Sequence, residues 1–286
     1  MKYKIIADSC CDTTRKIREE LDLELVPLRI FLSQGKEYID TLDLDITSML
    51  DDMKLSQSVK TTCPSIDDYL KFMYKYDNIF VITLANFLSG SCSAAIAARD
   101  IVLEEFPEKK IHVFDSLNAS AGELNLVLYI DSLIKENLSF EEIIEKADRY
   151  LDSLATIFVL EDIGNMIKNG RINKITGMVA TLLNIYPVLY KLKVKEIHMA
   201  AKVRGLNHAF ERMIELIAKW TSELQEKSIN VTLSHCEALS RAETLREKIL
   251  ISCKAVLDVI ITPTSGLSSV YANRGGIIVS FQTVPV

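Results

Sequence analysis

The sequence predicts an α/β fold in two domains, an N-terminal parallel-sheet βαβ domain and a C-terminal mixed-sheet α/β domain. Three observations carry this. In the first half, short apolar runs alternate with helix-length segments, and strands joined that way pair in parallel. In the second half, PVLYKLKVKEIHMAAKV (187–203) alternates over a length that suggests a hairpin, which brings antiparallel pairs into that sheet. At 286 residues, 49% of them hydrophobic, the chain is also better suited to two domains than to one. The boundary is expected near residues 150–155, giving domains 1–152 and 153–286, with a segment around 20–60 free to pack with the other domain. No low-complexity stretch marks it, so the domains should pack tightly.

The elements follow in order. KIIADS reads as a short buried strand. DTTRKIREEL is a helix whose start Asp12 or Thr13 can cap. LELVPLRIFL is extended, with Pro27 marking an edge or a bend. DITSMLDDM is a short helix. SIDDYLKFMYKY is another, with Ser65 and Asp68 at capping-box spacing. Then come the strand NIFVITLA, an alanine-rich helix after Ser89, the strand KIHVFDS and the helix AGELNLVLYIDSLIKE. After the helix FEEIIEKADRYLDSL the second half offers TIFVLE, the hairpin run, the helix from Asn207, INVTLSHCEA, the helix RAETLREKILIS, VLDVIITPTSG and GIIVSFQTV.

Composition narrows the function. A formal net charge of −6 and a pI near 5.4 leave no basic surplus for phosphate neutralisation, so no nucleic-acid partner is expected. No long uncharged apolar run suggests stable membrane insertion, and MKYKIIADSC enters a strand without a signal-peptide pattern. The six cysteines form no C-x-x-C pair and read as reduced, which makes the expected setting cytoplasmic. The four histidines are dispersed, and SHCE at 234–237 has no second cluster at metal-ligand spacing. Neither a G-x-S-x-G elbow nor a G-x-G-x-x-G turn occurs, so no metal, cofactor or catalytic residue is expected.

Three first-half strands end alike, at Asp8-Ser9, near Ser89, and at Asp115-Ser116. In a parallel sheet these ends share one edge, outside which ligands bind. KTTCPS (60–65) sits before a helix and can line the same crevice. Such hydroxyls also serve as helix caps. FLSGSCSAA (87–95) supplies a helix start with unpaired N–H groups, a glycine for close approach and no lysine. That chemistry suits one small anionic head, such as a carboxylate, better than a triphosphate.

Six segments together resemble the DegV family. IIADSCCD is similar to its D-S-T-x-D motif, KTTCPS to T-S-Q-P-S, and LSGSCSAA to S-G-T-y-x-S-A. VFDSLNASAG is similar to D-S-x-x-x-S-x-G, IKNGRI to k-G-G-R-I and KVRG to K-x-R-g. They occur in family order across residues 5–205. The resemblance implies a DegV-like fold that binds one long-chain fatty acid between its domains and presents the carboxylate to a separate fatty-acid kinase. It thus implies a carrier, not an enzyme, with the fatty acid as ligand and no cofactor. Carried over by motif, Thr61 and Ser89 would bond the carboxylate and Arg171 would stand near it as a charge partner. Thr62 and Gly90 are further head-group candidates, and Arg204 would lie near the site or face the kinase. The family's Ser and Gln are Thr62 and Cys63 here, its Thr is Ser91, and its first Gly before Arg171 is Asn169. VYANRGG stands where many members carry H-x-G-P-G, so Tyr271 or Asn273 would take over a histidine's contact.

Burying about sixteen carbons would remove some fourteen methylenes from water, a gross gain of roughly 11 kcal/mol. Apolar pocket walls are expected from GMVATLLNIYPVLY, VIITPTSG and IFVLEDIGNMI, and a mobile cover from 175–186 with Gly177 and Met178. The competing reading is an α/β enzyme acting on a small anionic metabolite. It predicts a shallow polar cleft dependent on Arg171 or His235.

Overall fold

A computed structural model describes residues 3–172, 184–192 and 196–283. From the N-terminus, β1 (Lys4–Asp8) leads to α1 (Arg15–Glu20). Its cap is Thr14, whose hydroxyl accepts from the Ile17 amide at 3.2 Å. Asp12 and Thr13 stand too early in the chain to serve, and Asp12 turns inward, accepting from Ser120 Oγ and the Ser265 amide. Pro27 has no N–H for a ladder and splits the extended run 23–32. β2 (Glu24–Val26) pairs with β1, while β3 (Arg29–Leu32) leaves for another sheet. There β3 lies between β4 (Glu37–Ile39) and β5 (Val59–Thr62), with α2 (Ile46–Leu55) in the connection.

α3 (Ile66–Met73) starts on the expected capping box, Ser65 and Asp68 each bonding the other's backbone amide. β6 (Asn78–Thr83), α4 (Ser91–Glu105), β7 (Lys110–Asp115) and α5 (Ala121–Lys135) follow. α6 (Phe140–Ser153) has a second capping box, Ser139 with Glu142. The first sheet, ordered β2-β1-β6-β7, is parallel throughout, as the alternation of strands and helices requires.

The rest of the described chain builds a mixed sheet of six strands. β8 (Leu154–Val159) is followed by α7 (Gly164–Lys168) and by the hairpin β9 (Ile185–Lys191) and β10 (His198–Arg204), antiparallel as expected. Then come α8 (Leu206–Thr221), β11 (Ile229–His235), α9 (Leu239–Ser252), β12 (Val256–Pro263), α10 (Gly266–Ala272) and β13 (Ile277–Gln282). The order β10-β9-β8-β13-β11-β12 puts the last of these strands in the middle.

Two features join the halves. Every residue from 121 to 127 in α5 is buried, because this helix packs on β1 and β6 of one sheet and on β8, β11 and β13 of the other. Gly122 permits the approach, since a Cβ there would fall 2.7 Å from both Asn118 Cβ and Thr156 Oγ1. The three-stranded sheet also lies against the second half: Ile30, Leu32, Met49, Leu50 and Val59 share a core with Phe158, Leu160, Leu189 and Val270. Residues of the 29–62 segment therefore pack against the second half, whereas β2 stays in the first sheet.

Candidate functional site

The C-terminal ends of β1, β6 and β7 lie along one sheet edge, and Asp8 is buried at its centre. Its carboxylate accepts from Ser91 Oγ at 2.5 Å, the Leu84 amide at 2.9 Å and the Cys10 amide at 3.1 Å. Ser91's only proton is thereby used, so Tyr69 Oη donates to Ser91 Oγ across 2.6 Å. This chain of bonds fixes the first turn of α4. No side chain caps that helix; Ser89 Oγ accepts from the Ser91 amide at 3.3 Å and reaches no further amide among the described residues. The turn remains an anion-compatible helix start.

In front of that edge lies a cavity of about 370 Å³, within the roughly 300–1,000 Å³ range of small-molecule sites. One stretch of wall is polar. Thr61, Thr62 and Cys63 reach it at the end of β5, Ser89 and Gly90 at the start of α4, Arg171 after α7, and Tyr271 from α10. Thr61 Oγ1 and Tyr271 Oη share a hydrogen bond of 2.9 Å. Arg171 Nε donates to the Leu88 carbonyl at 3.0 Å and Nη1 to that of Asn169, which pins the guanidinium at the wall. Much of the remaining wall is apolar, including Leu28, Leu84, Phe87, Phe158, Leu160 and Met166.

The loop after β7 completes the wall in a strained conformation. Leu117 and Ser120, both lining the cavity, have φ of +52° and +57°. Such backbone costs of order 1–3 kcal/mol per residue and persists only where surroundings enforce it. Here Ser120 Oγ donates to buried Asp12, and Asn118 bonds Ser116 and Thr156.

Behind the wall, Asp8, Cys10 and Glu123 bring potential ligand atoms within 4.8 Å of one another. Burial first, then the Asp8 and Asp12 charges, push Glu123 well above the ordinary carboxyl range; burial pushes Asp8 up to about 6. Neither Glu123 oxygen accepts a hydrogen bond among the described residues. The Glu123–Asp8 interaction raises one carboxyl and lowers the other, which favours a proton on Glu123 beside an ionised Asp8.

The geometry thus brings Thr61, Thr62, Ser89, Gly90, Arg171 and Tyr271 to one cavity. It does not bring Asn273 or Arg204. Asn273 turns away at φ +53°, and its amide donates to the Asp162 carbonyl at 3.1 Å. Arg204 is exposed at the end of β10. IFVLEDIGNMI supplies Phe158, Leu160 and Met166 as expected. VIITPTSG does not line this cavity; Pro263 to Gly266 face a separate hollow beside Ser9 and Asp40. The suggested cover, with Gly177 and Met178, lies largely outside the described residues. Cys10, Asn118, Thr156, Lys191 and Ser268 line the cavity without having been nominated. Lys191 left one signal, a lone charge closing the apolar run IYPVLYK.

Sheet order and cavity together define a two-lobed α/β binding protein that encloses a largely apolar hollow beside a polar helix start. The chain belongs to the DegV family: the profile described as "Uncharacterised protein, DegV family" matches residues 2–283. A curated relative, a DegV domain-containing protein of Streptococcus gordonii, is 36% identical over 293 residues, with 99% of each chain covered. Among solved structures, a DegV family protein from Ruminococcus gnavus, refined with vaccenic acid, superposes with a TM-score of 0.90 at 34% identity. That match covers 97% of this chain and 99% of the other. The Fatty Acid Kinase (Fak) B3 protein of Streptococcus pneumoniae, loaded with linoleic acid, superposes at 0.89 with 32% identity, covering 99% and 100%.

Proposed function

We propose that this protein binds one long-chain fatty acid in the cavity and presents its carboxylate to a partner kinase, acting as a carrier. The observation that carries the reading is the convergence of Thr61, Ser89 and Arg171, from three separate segments, on one largely apolar cavity. An acyl chain gains from the apolar wall. Its carboxylate takes hydrogen bonds from Thr61 and Ser89, the helix start at Gly90 and the charge of Arg171, so it is not buried unpaired. Tyr271 stands where the family's histidine contact is missing and donates its proton to Thr61 Oγ1, which leaves the Thr61 proton for the carboxylate. Thr62 lies at the same opening. Arg204, exposed and outside the cavity, belongs to a kinase-facing surface.

In this reading the lobes are residues 1–152 and 153–286, with residues 29–62 bridging them, and the ligand sits between. It calls for no cofactor, and the loaded relatives carry only fatty acids in their descriptions. The setting is the cytoplasm, a reading supported by six free cysteines. No helix among the described residues is long and apolar enough to cross a membrane. The metabolite-enzyme alternative expects a polar cleft and a role for His235. The cavity is mostly apolar, and no histidine is among the described residues that line it.

Native mass spectrometry of the purified protein, before and after organic extraction, tests the reading. A bound acyl chain, or saturable uptake of added fatty acid after delipidation, is expected. Failure of both overturns it.

A further inference from the structure

Lys191 closes β9, and its Cα is paired in register with Thr156 of β8. Residues on β8 alternate faces, and Thr156, Phe158 and Leu160 all line the cavity from one of them. Lys191, on that same face, also lines it. Four residue steps lead from Thr156 to Leu160, just past the end of β8, about 13 Å of extended chain. Beyond Leu160 the chain turns through α7, and the Arg171 amide bonds the Met166 carbonyl at 2.8 Å. Met166 packs in the same core as Leu160. Lys191 therefore stands at the Thr156 end of this row, with its stem at the wall and Nζ buried behind it.

Lys191 is 3% exposed, and Nζ has no hydrogen-bond partner among the described residues. Thr156, its partner in register, is engaged elsewhere: Thr156 Oγ1 donates to Asn118 Oδ1 at 2.8 Å, and Asn118 Nδ2 donates to the Ser116 carbonyl at 2.8 Å. Burial pushes the amine down to about 8, and the Asp115 and Asp152 charges act the other way. Lysines beside apolar surface ordinarily extend their charge to water, which this one does not. A wholly hydrocarbon ligand would leave that charge stranded, an arrangement proteins avoid.

We propose that Lys191 recognises a second oxygen function on the ligand, so that the preferred class is acyl chains carrying a hydroxyl, oxo or second carboxylate group away from the head. The proposal rests on the fatty-acid reading above. The four-carbon stem lets Nζ swing onto such an oxygen while its methylenes stay against the chain.

The test is competition against a fluorescent fatty acid. The competitors are hexadecanoic acid, its monohydroxylated isomers with the hydroxyl at successive carbons, and hexadecanedioic acid. They are measured on the delipidated wild type, Lys191→Met and Lys191→Gln. At least one oxygenated acid should bind the wild type about tenfold more tightly than hexadecanoic acid, as expected of one good charged hydrogen bond. Lys191→Met should erase that preference and bind hexadecanoic acid at least as well. Lys191→Gln, which keeps a donor, should retain part of it. A wild type that favours no oxygenated acid, or a preference that survives in Lys191→Met, overturns the proposal. If no acid binds saturably, the underlying lipid reading fails and takes this one with it.

Discussion

Thr61 Oγ1 and Tyr271 Oη stand 2.9 Å apart although 210 residues separate them in the chain. The bond ties the end of β5 to α10, and α10 is itself held from the other side. Asp40, fully buried, accepts from the Gly266 amide at 2.6 Å, the Leu267 amide at 2.9 Å and Ser9 Oγ at 2.8 Å. Position 266 must be glycine for this contact, because a Cβ would fall 2.6 Å from Asp40 Oδ1. Cavity wall and helix anchor therefore form one assembly.

Breaking the Thr61–Tyr271 bond should be measurable as a coupling. In a cycle of Thr61→Val, Tyr271→Phe and the pair, urea unfolding should give an interaction energy of about 0.5–1.5 kcal/mol. A coupling of zero would mean that the two hydroxyls prefer other partners in solution.

Head-group substitutions should weaken ligand retention and spare the fold. Thr61→Ala and Ser89→Ala should each cost roughly 1–3 kcal/mol in displacement titrations, with thermal unfolding of the delipidated protein shifted little for Ser89→Ala and by no more than the loss of the Tyr271 bond for Thr61→Ala. Arg171→Lys should not restore wild-type affinity. Its ammonium cannot reproduce both the Nε bond to Leu88 and the Nη1 bond to Asn169.

Asp40 predicts a pH dependence. Burial raises its carboxyl to about 7 in the folded protein, whereas an unfolded Asp titrates near 3.8. The folded state then holds the proton more tightly, so this contribution is complete below about pH 4 and is lost as pH rises towards 7. The loss amounts to something on the order of 3 kcal/mol across that window. Urea midpoints at successive pH values should show the gap between wild type and Asp40→Asn shrinking as pH rises. A widening gap would reverse the assigned sign.

Glu123→Gln should be mild, within about 1 kcal/mol, because the amide can donate to Asp8 as the neutral acid does. Glu123→Ala should cost about 2–4 kcal/mol, since it leaves both a void and a buried carboxylate with one donor fewer. Equal losses in calorimetry for the two variants would argue against the shared proton.

The sequence disclosed what local chemistry decides. Strand–helix alternation gave the parallel sheet, Ser65 with Asp68 gave the start of α3, and the hydroxyl-rich strand ends gave the ligand edge. It was silent where distant segments decide. β4 and β5 owe their existence to pairing with β3, and β5 contains TT with no apolar alternation to announce it. Asp12, too early in the chain to cap α1, is engaged by Ser120 and Ser265, more than a hundred residues away. Tyr271 and Asn273 were equivalent candidates in VYANRGG, and the turn after α10 sends one towards Thr61 and the other towards Asp162. Lys191 became informative only through its register opposite Thr156.

The placement of β13 has a consequence for biosynthesis. Residues 277–282 slot between β8 and β11, so a nascent chain halted before Ile277 holds two half-sheets with a gap at their centre. Both flanking strands would then offer bare edges to other unfinished chains. Proteolysis or chaperone capture of such fragments should fall abruptly once this last ribbon clears the ribosome.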